Sequence, residues 1–199
     1  MSKINAVRLI NVNYNNNAYR ISDETLHFNG KSTLISLQNG GGKSVLVQML
    51  TAPFVHPRYR NTKDRLFESY FTTNKPSFIL VEWALDQGAG YVLTGLMVRK
   101  SQDMEEDRKE NLDIIGIVSE YQSPCIQDIY HLPVVEKGKK EMILKNFNSC
   151  RQLFETYKKD RDMKFFYYDL TNYAQSRQYF NKLMEYQINY KEWETIIKK

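Results

Sequence analysis

The sequence predicts an α/β fold with a mixed sheet, in which antiparallel strands come first and helices are concentrated in the C-terminal part. Apolar and β-branched runs dominate residues 1–145, whereas apolar residues recur with a helical period from about residue 149 onward. A glycine-rich stretch at Asn39 to Ser44 lies between a predicted strand and a predicted helix. With 199 residues and 42% hydrophobic content, the chain is expected to form one domain, 1–199, with a buried core.

The predicted strands are short and are separated by turn signals. In chain order they cover residues 4–12, 25–28, 33–37, 78–85, 91–99, 113–119 and 165–170. Asn29-Gly30 and the glycine-containing loop 86–90 each predict a hairpin turn. Short helices are predicted between Ser44 and Pro53 and at 64–71, and longer ones at 149–157, 176–186 and 190–199. The last pattern has no stop signal, so we expect the helix to continue into a coiled coil.

The glycine-rich stretch has the order strand, loop, helix that a phosphate-binding P-loop requires. Glycines let backbone N–H groups surround an anion, and the helix start adds its positive dipole end. In such a loop the lysine reaches the terminal phosphates of ATP and the serine hydroxyl binds Mg²⁺. The candidate cofactor-binding residues are Asn39, Gly40, Gly41, Gly42, Lys43, Ser44 and Val45, with Ser44 also the metal ligand. Leu37 stands where the full pattern has its first glycine. The other interpretation is a glycine-rich turn before an ordinary helix.

A complete P-loop enzyme also needs an acidic residue at the end of an apolar strand, to hold the metal and to polarise water. Glu82, Glu120 and Asp169 each follow such a run. All three are interpreted as parts of structural strands, and Ser-Gly-Gly-Gln, the signature that senses the γ-phosphate, does not occur in the sequence. No catalytic residue is therefore assigned, and the nucleotide site is predicted to be half of an active site.

These features together resemble the N-terminal head lobe of SMC-like ATPases. Two strands precede Leu37-Gln38-Asn39-Gly40-Gly41-Gly42-Lys43-Ser44, and a hairpin region and terminal helices follow. The similarity is strongest to the condensin-like MukB and JetC branch. It implies a P-loop NTPase fold of the ABC/SMC-head type, with ATP and Mg²⁺ as cofactors.

The resemblance also implies partners and a division of labour. A C-terminal head lobe of the same protein would supply the signature and the acidic residues, and two heads would dimerise around ATP and act on DNA. The expected roles are chromosome segregation, repair or plasmid defence, and residues 1–199 alone are expected to be inactive. Asn13 to Asn17 or Arg20 would approach the base or the ribose.

Two other functions remain open from the sequence. A self-contained P-loop kinase would place Asp169 or Glu82 on the metal and use Arg58, Arg60 or Arg99 to clamp the phosphates. The strands before the loop and the hairpin at 78–99 argue against it, because kinases use mainly parallel sheets. A non-enzymatic interaction module with a non-functional glycine loop is the third possibility.

Charge and composition limit the partners further. The formal net charge is +5, and residues 137–164 contain nine Lys or Arg against four Asp or Glu. This balance fits either a DNA-binding surface or a solvated helical surface. Cys125 and Cys150 fit reduced thiols better than a disulfide or a zinc site. Because no run of ~18 apolar residues and no signal peptide is found, we expect a cytoplasmic protein without a membrane partner.

Overall fold

The computed structural model describes residues 2–14, 18–36, 38, 42–63, 65–102 and 110–197. The strands within them are β1 (Lys3–Tyr14), β2 (Tyr19–His27), β3 (Ser77–Ala84), β4 (Tyr91–Lys100), β5 (Leu112–Tyr121), β6 (Val135–Lys137), β7 (Met142–Leu144) and β8 (Lys164–Asp169). The helices are α1 (Lys43–Thr51), α2 (Phe147–Lys159), α3 (Tyr173–Glu185) and α4 (Tyr190–Ile197). Short 3₁₀ turns cover Ala52–Phe54, Pro57–Tyr59, Phe67–Tyr70 and Asp86–Gly88.

Six strands form one sheet in the order β2-β1-β3-β4-β5-β8, and β6 pairs with β7 in a separate hairpin. Every pair of neighbouring strands in the described residues is antiparallel. The predicted P-loop NTPase fold with a mixed sheet is therefore wrong, because such a fold is built on a core of parallel strands. The helix predicted after Ser44 is present as α1, and the other three helices of the described residues lie in the C-terminal part, as predicted.

The strand predicted at 33–37 is the specific error. Residues 33–36 form no strand, and Leu34 is 95% exposed, while Leu37 lies outside the described residues. The physical reason is that a strand needs a hydrogen-bonding neighbour. Strand β1 already pairs with β2 on one side and with β3 on the other, so this apolar segment has no partner beside β1.

The predicted β3–β4 hairpin is confirmed, and its pairing runs from Ser77 with Val98 to Ala84 with Tyr91. The predicted helices near α2 and α3 are confirmed with ends shifted by a few residues. Both begin at an asparagine cap: Asn146 accepts the N–H of Ser149, and Asn172 accepts that of Gln175. None of the helices in the described ranges is long and apolar enough to cross a membrane.

The sheet has two buried faces because successive side chains of a strand point to opposite sides. Ile79 and Val81 of β3 lie on the face covered by α1, α3 and residues 52–71, which we call the α1 face. Phe78 and Leu80 lie on the other side with α2 and residues 122–134, which we call the α2 face. The domain is thus a central antiparallel sheet with a helical layer on each side.

The alternation along β1 is interrupted at Asn11. Ile10 packs on the α2 face, but Val12, two residues later, packs on the α1 face. Asn11 lies between them with φ 56°, a left-handed conformation that asparagine tolerates better than most residues. Its Nδ2 donates to the carbonyl of Pro76 at 3.1 Å, and its own carbonyl accepts from Ser77 Oγ at 2.5 Å. This break turns the end of β1, including Tyr14, toward α1.

We predict that Asn11→Gly is more stable than Asn11→Ala by about 1 kcal/mol, because a Cβ strains a left-handed backbone. Both variants lose the hydrogen bond to Pro76, so their difference isolates the backbone conformation. In an ordinary strand the order is reversed, since alanine is favoured over glycine by about 0.5–1 kcal/mol. Urea unfolding of the two proteins measures the difference, and a more stable alanine variant would contradict the break at Asn11.

Candidate nucleotide-binding site

The glycine-rich motif continues directly into α1. Gly42 caps the helix with φ 82° and ψ 19°, a left-handed conformation that glycine adopts without strain. Its carbonyl accepts the first helical hydrogen bond, from Leu46 N at 2.8 Å. The N–H groups of Lys43, Ser44 and Val45 therefore precede the hydrogen-bond ladder and point out of the helix end. Asn39, Gly40 and Gly41 lie outside the described residues.

The side chains of the motif divide into exposed and anchoring ones. Lys43 and Ser44 are exposed, whereas Val45 is only 5% exposed and packs in the core beside Met49. Val45 can thus offer a ligand its N–H group but not its side chain. The first turn contains no acidic residue, so Lys43 adds positive charge to the positive end of the helix dipole. This end of α1 is electrostatically suited to an anion.

An apolar cleft of about 190 Å³ adjoins the start of α1. It is lined by Leu9, Tyr14, Ile21, Glu24, Leu26, Gly42, Val45 and Leu46. The ring of Tyr14 lies beside Gly42, where an added Cβ would meet its Cε2 at 3.6 Å. Tyr14 stacks on the half-exposed Tyr19, with ring centroids 5.4 Å apart and planes 24° apart. A flat aromatic surface therefore lies next to the motif.

The residues predicted to approach the base differ in exposure, and three of them lie outside the described residues. Asn13 is 8% exposed and Arg20 is exposed on β2, while Asn15, Asn16 and Asn17 lie outside the described residues. Tyr14, which lies inside the predicted range Asn13 to Asn17, and Tyr19, which follows it, were not singled out as aromatic contacts for the base. The sequence does show two aromatic residues, one at the end of a strand and one at the start of the next. It does not show that Tyr14 lies beside Gly42, because that position depends on the left-handed conformation of Asn11.

The acidic residues of the kinase hypothesis are not brought to α1. Glu82 shares a side of β3 with Leu80, and Asp169 follows Phe165 and Tyr167 on β8, so both point to the α2 face. Glu82 is buried and accepts hydrogen bonds from Asn5 and Tyr121. The carboxylate of Asp169 accepts from the N–H and hydroxyl of Thr171.

Glu120 does face the α1 side, but it is already engaged. Its carboxylate accepts from Lys164 Nζ at 2.5 Å and from the hydroxyl of Tyr186 at 2.9 Å. These contacts connect β5 to the edge strand β8 and to Tyr186 at the C-terminal end of α3. The described residues contain no group of three or more His, Cys, Asp or Glu side chains that could hold a metal ion.

The three arginines of the kinase hypothesis are also dispersed. Arg99 pairs with Asp113 at 3.0 Å and lies over the ring of Phe147, on the α2 face. Arg58 is exposed beside Tyr59. Arg60 is 1% exposed at the opposite end of α1, where its Nε donates to the carbonyl of Ala52 at 3.1 Å. The geometry does not assemble these cations around Lys43.

Comparison with protein-family models finds no match, and comparison with curated proteins finds none either.

Proposed function

We propose that this chain binds ATP and Mg²⁺ at the N-terminal end of α1, as the nucleotide-binding part of an SMC-like ATPase. Asn39 to Ser44 would surround the phosphates, with Lys43 on the terminal ones and the Ser44 hydroxyl on Mg²⁺. The glycine-rich loop and the start of α1 support this proposal, whereas the antiparallel sheet does not, because a P-loop NTPase has a core of parallel strands.

The observation that most supports it is the coincidence of three features at one helix end. Gly-Lys-Ser stands at the first turn, Gly42 is left-handed, and no acidic residue offsets the charge of Lys43. A lysine at the positive end of a helix dipole is unfavourable by itself, and a bound anion removes that cost. An ordinary glycine-rich turn does not require this arrangement.

A further polypeptide segment would complete the site. Glu82 and Asp169 point to the α2 face, so the acid that polarises water would come from elsewhere. Leu34 and Val47 are 95% and 61% exposed on either side of the motif in sequence, and Leu34 belongs to an apolar segment without strand pairing. Such surfaces fit a second lobe of the same protein, and in dimers a second head.

Lys43→Ala is expected to weaken ATP–Mg²⁺ binding at least about tenfold, because a charge-assisted contact to the terminal phosphates contributes about 1.5–3 kcal/mol. Lys31→Ala removes another lysine that precedes the motif and is expected to leave binding unchanged. Calorimetric titration of both variants and the unaltered protein measures this difference.

Two results would contradict the proposal. Equal ATP affinity in Lys43→Ala and the unaltered protein would favour an interaction module with a non-functional loop. Robust ATP turnover by residues 1–199 alone would overturn the view that the acid comes from another segment.

Tyr14 is expected to bind the base, because its ring lies beside Gly42 and aromatic stacking on a base contributes about 1–3 kcal/mol. Tyr14→Ala should weaken ATP binding about tenfold and leave binding of inorganic triphosphate unchanged. Tyr14→Phe, which retains the ring, is the matched control. An equal loss for both ligands in Tyr14→Ala would show that Tyr14 supports the loop and does not contact the base.

DNA is proposed as a second partner, on the exposed outer surface of the layer that covers the α2 face. The basic segment 137–164 folds into the β6–β7 hairpin and α2, with Lys139, Lys140 and Arg151 exposed. Two of its lysines have intramolecular contacts: Lys164 pairs with Glu120, and Lys158 lies over the ring of Tyr167. The hairpin lysines extend from the domain beside the exposed side chain of Met142. A sequence-independent contact with phosphates fits this surface.

The double variant Lys139→Gln/Lys140→Gln should weaken binding of duplex DNA and reduce the slope of log affinity against log salt by about two. The control, Arg20→Gln/Lys191→Gln, removes the same charge from other exposed positions. Fluorescence anisotropy at several salt concentrations measures both. An equal effect of the two double variants would indicate that only net charge matters and would contradict a DNA site on the hairpin.

A further inference from the structure

Arg60 occupies an unusual position for an arginine. It follows the 3₁₀ turn Pro57–Tyr59 and is 1% exposed, and its guanidinium carbon lies 5.8 Å from the centroid of Phe67. Its carbonyl accepts from Gln48 Nε2 at 2.5 Å, so α1 fixes its backbone. Nε donates to Ala52, but buried Nη2 has no hydrogen-bond partner in the described part of the chain. An arginine that only caps the helix does not require this free donor.

Arg60 is among the residues that line a cleft of about 460 Å³ on the α1 face. The cleft is bounded by residues 56–61, the region around the start of β5 and the turn after β8. Its apolar wall consists of Leu112, Ile114 and Leu170. His56 also lines a neighbouring cleft of about 530 Å³, which runs along α3 past Ser176 and Arg177. Even without its neighbour, the cleft beside Arg60 is large enough to be a small-molecule site.

The charges around the cleft favour an anion. Arg58 and Arg60 line it, and Arg177 lines its neighbour, whereas Glu110 is the one acidic side chain among the lining residues that the structure describes. Burial raises the pKa of the Glu110 carboxyl, and the charge of Arg60 opposes that rise. Burial, and then the cation of Arg58, lowers the pKa of His56. Glu110 thus interacts electrostatically with the Arg60 guanidinium, but within the described residues Arg60 Nη2 makes no hydrogen bond to this or any other carboxylate.

We propose that this cleft binds a small organic oxyanion, with the anionic group on the guanidinium groups of Arg60 and Arg58 and an apolar body on Leu112, Ile114 and Leu170. A guanidinium binds phosphate and carboxylate by the same charge-assisted hydrogen bonds. The site is separate from the nucleotide motif. The two lie at opposite ends of α1, about 13 Å apart along the axis of a nine-residue helix.

The test uses Lys43→Ala as the background, in which anion binding at the nucleotide motif is weakened and the Arg60 signal reports on the cleft. Phenyl phosphate, benzoate and neutral phenol are titrated, with the arginine Nε–H signals followed by NMR. Phenyl phosphate or benzoate should shift the Arg60 signal, and phenol should not. Stronger binding of one anion identifies the ligand as a phosphate or as a carboxylate. Inorganic phosphate should bind more weakly than phenyl phosphate, and acetate more weakly than benzoate. Such a difference supports contact between the phenyl group and the apolar wall.

Three variants test the residues. Arg58→Ala should weaken binding about tenfold, and Glu110→Gln should strengthen it severalfold by removing a competing negative charge. Arg161→Ala, at an exposed position outside the cleft, should have no effect. Arg60 itself is a less suitable position, because Arg60→Gln also removes the hydrogen bond to the carbonyl of Ala52. Binding by Arg60→Gln can be interpreted only after circular dichroism has shown that this variant folds.

Several results would overturn the proposal. These are no shift of the Arg60 signal with either anion at millimolar concentration, an equal shift with phenol, or affinities that are unchanged in both Arg58→Ala and Glu110→Gln. Loss of ATP binding in Lys43→Ala with anion binding intact would show that the two sites are independent. ATP affinity measured with Lys43 present then tests the nucleotide proposal by itself.

Discussion

The double pairing of β1 is the constraint on which the rest of this structure depends. Because β2 pairs with one of its edges and β3 with the other, β1 is an internal strand, and β4, β5 and β8 are added to the sheet on the β3 side. The same pairing leaves residues 33–36 without a neighbour beside β1, although they directly precede the glycine motif. The motif thus reaches α1 from an unpaired segment, and Gly42 and Val45 are the described residues of the motif that pack against the domain.

The side of the sheet on which a residue lies decides which groups can cooperate. Asn11 places the end of β1 on the α1 face, so Tyr14 lies beside Gly42. Regular alternation along their strands places Glu82 and Asp169 on the other face. There the carboxylate of Glu82 accepts a hydrogen bond from Tyr121, and that of Asp169 accepts one from Thr171. Moving either acid to the α1 face would require a one-residue shift of a strand, which would also move every other side chain of that strand to the opposite face and disrupt the packing on both sides. The sheet itself therefore separates these acids from the motif.

The sequence allowed prediction of features that depend on local patterns. Helices α2 and α3 show apolar spacing after an asparagine cap, and the β3–β4 hairpin shows two β-branched runs around a glycine-containing loop. The strand at 33–37 was wrong because an apolar pattern does not reveal whether a pairing edge is free. Tyr14 was not singled out because its direction depends on one left-handed residue. Arg60 was named only as a phosphate clamp, since burial beneath α1 is a tertiary property.

Each end of α1 has a cation nearby, but the helix dipole makes the cation favourable at the C-terminal end and unfavourable at the N-terminal end. At the C-terminal end, Arg60 places a cation under the carbonyl of Ala52, which stabilises the negative end of the dipole and satisfies one free carbonyl. At the N-terminal end, Lys43 adds a cation where the dipole is already positive, and the first turn offers no acid. A sequence selected only for the stability of this helix would place an acid there and an arginine at the other end. The arginine is present and the acid is not, and this is the arrangement that the anion proposed at the N-terminal end would stabilise.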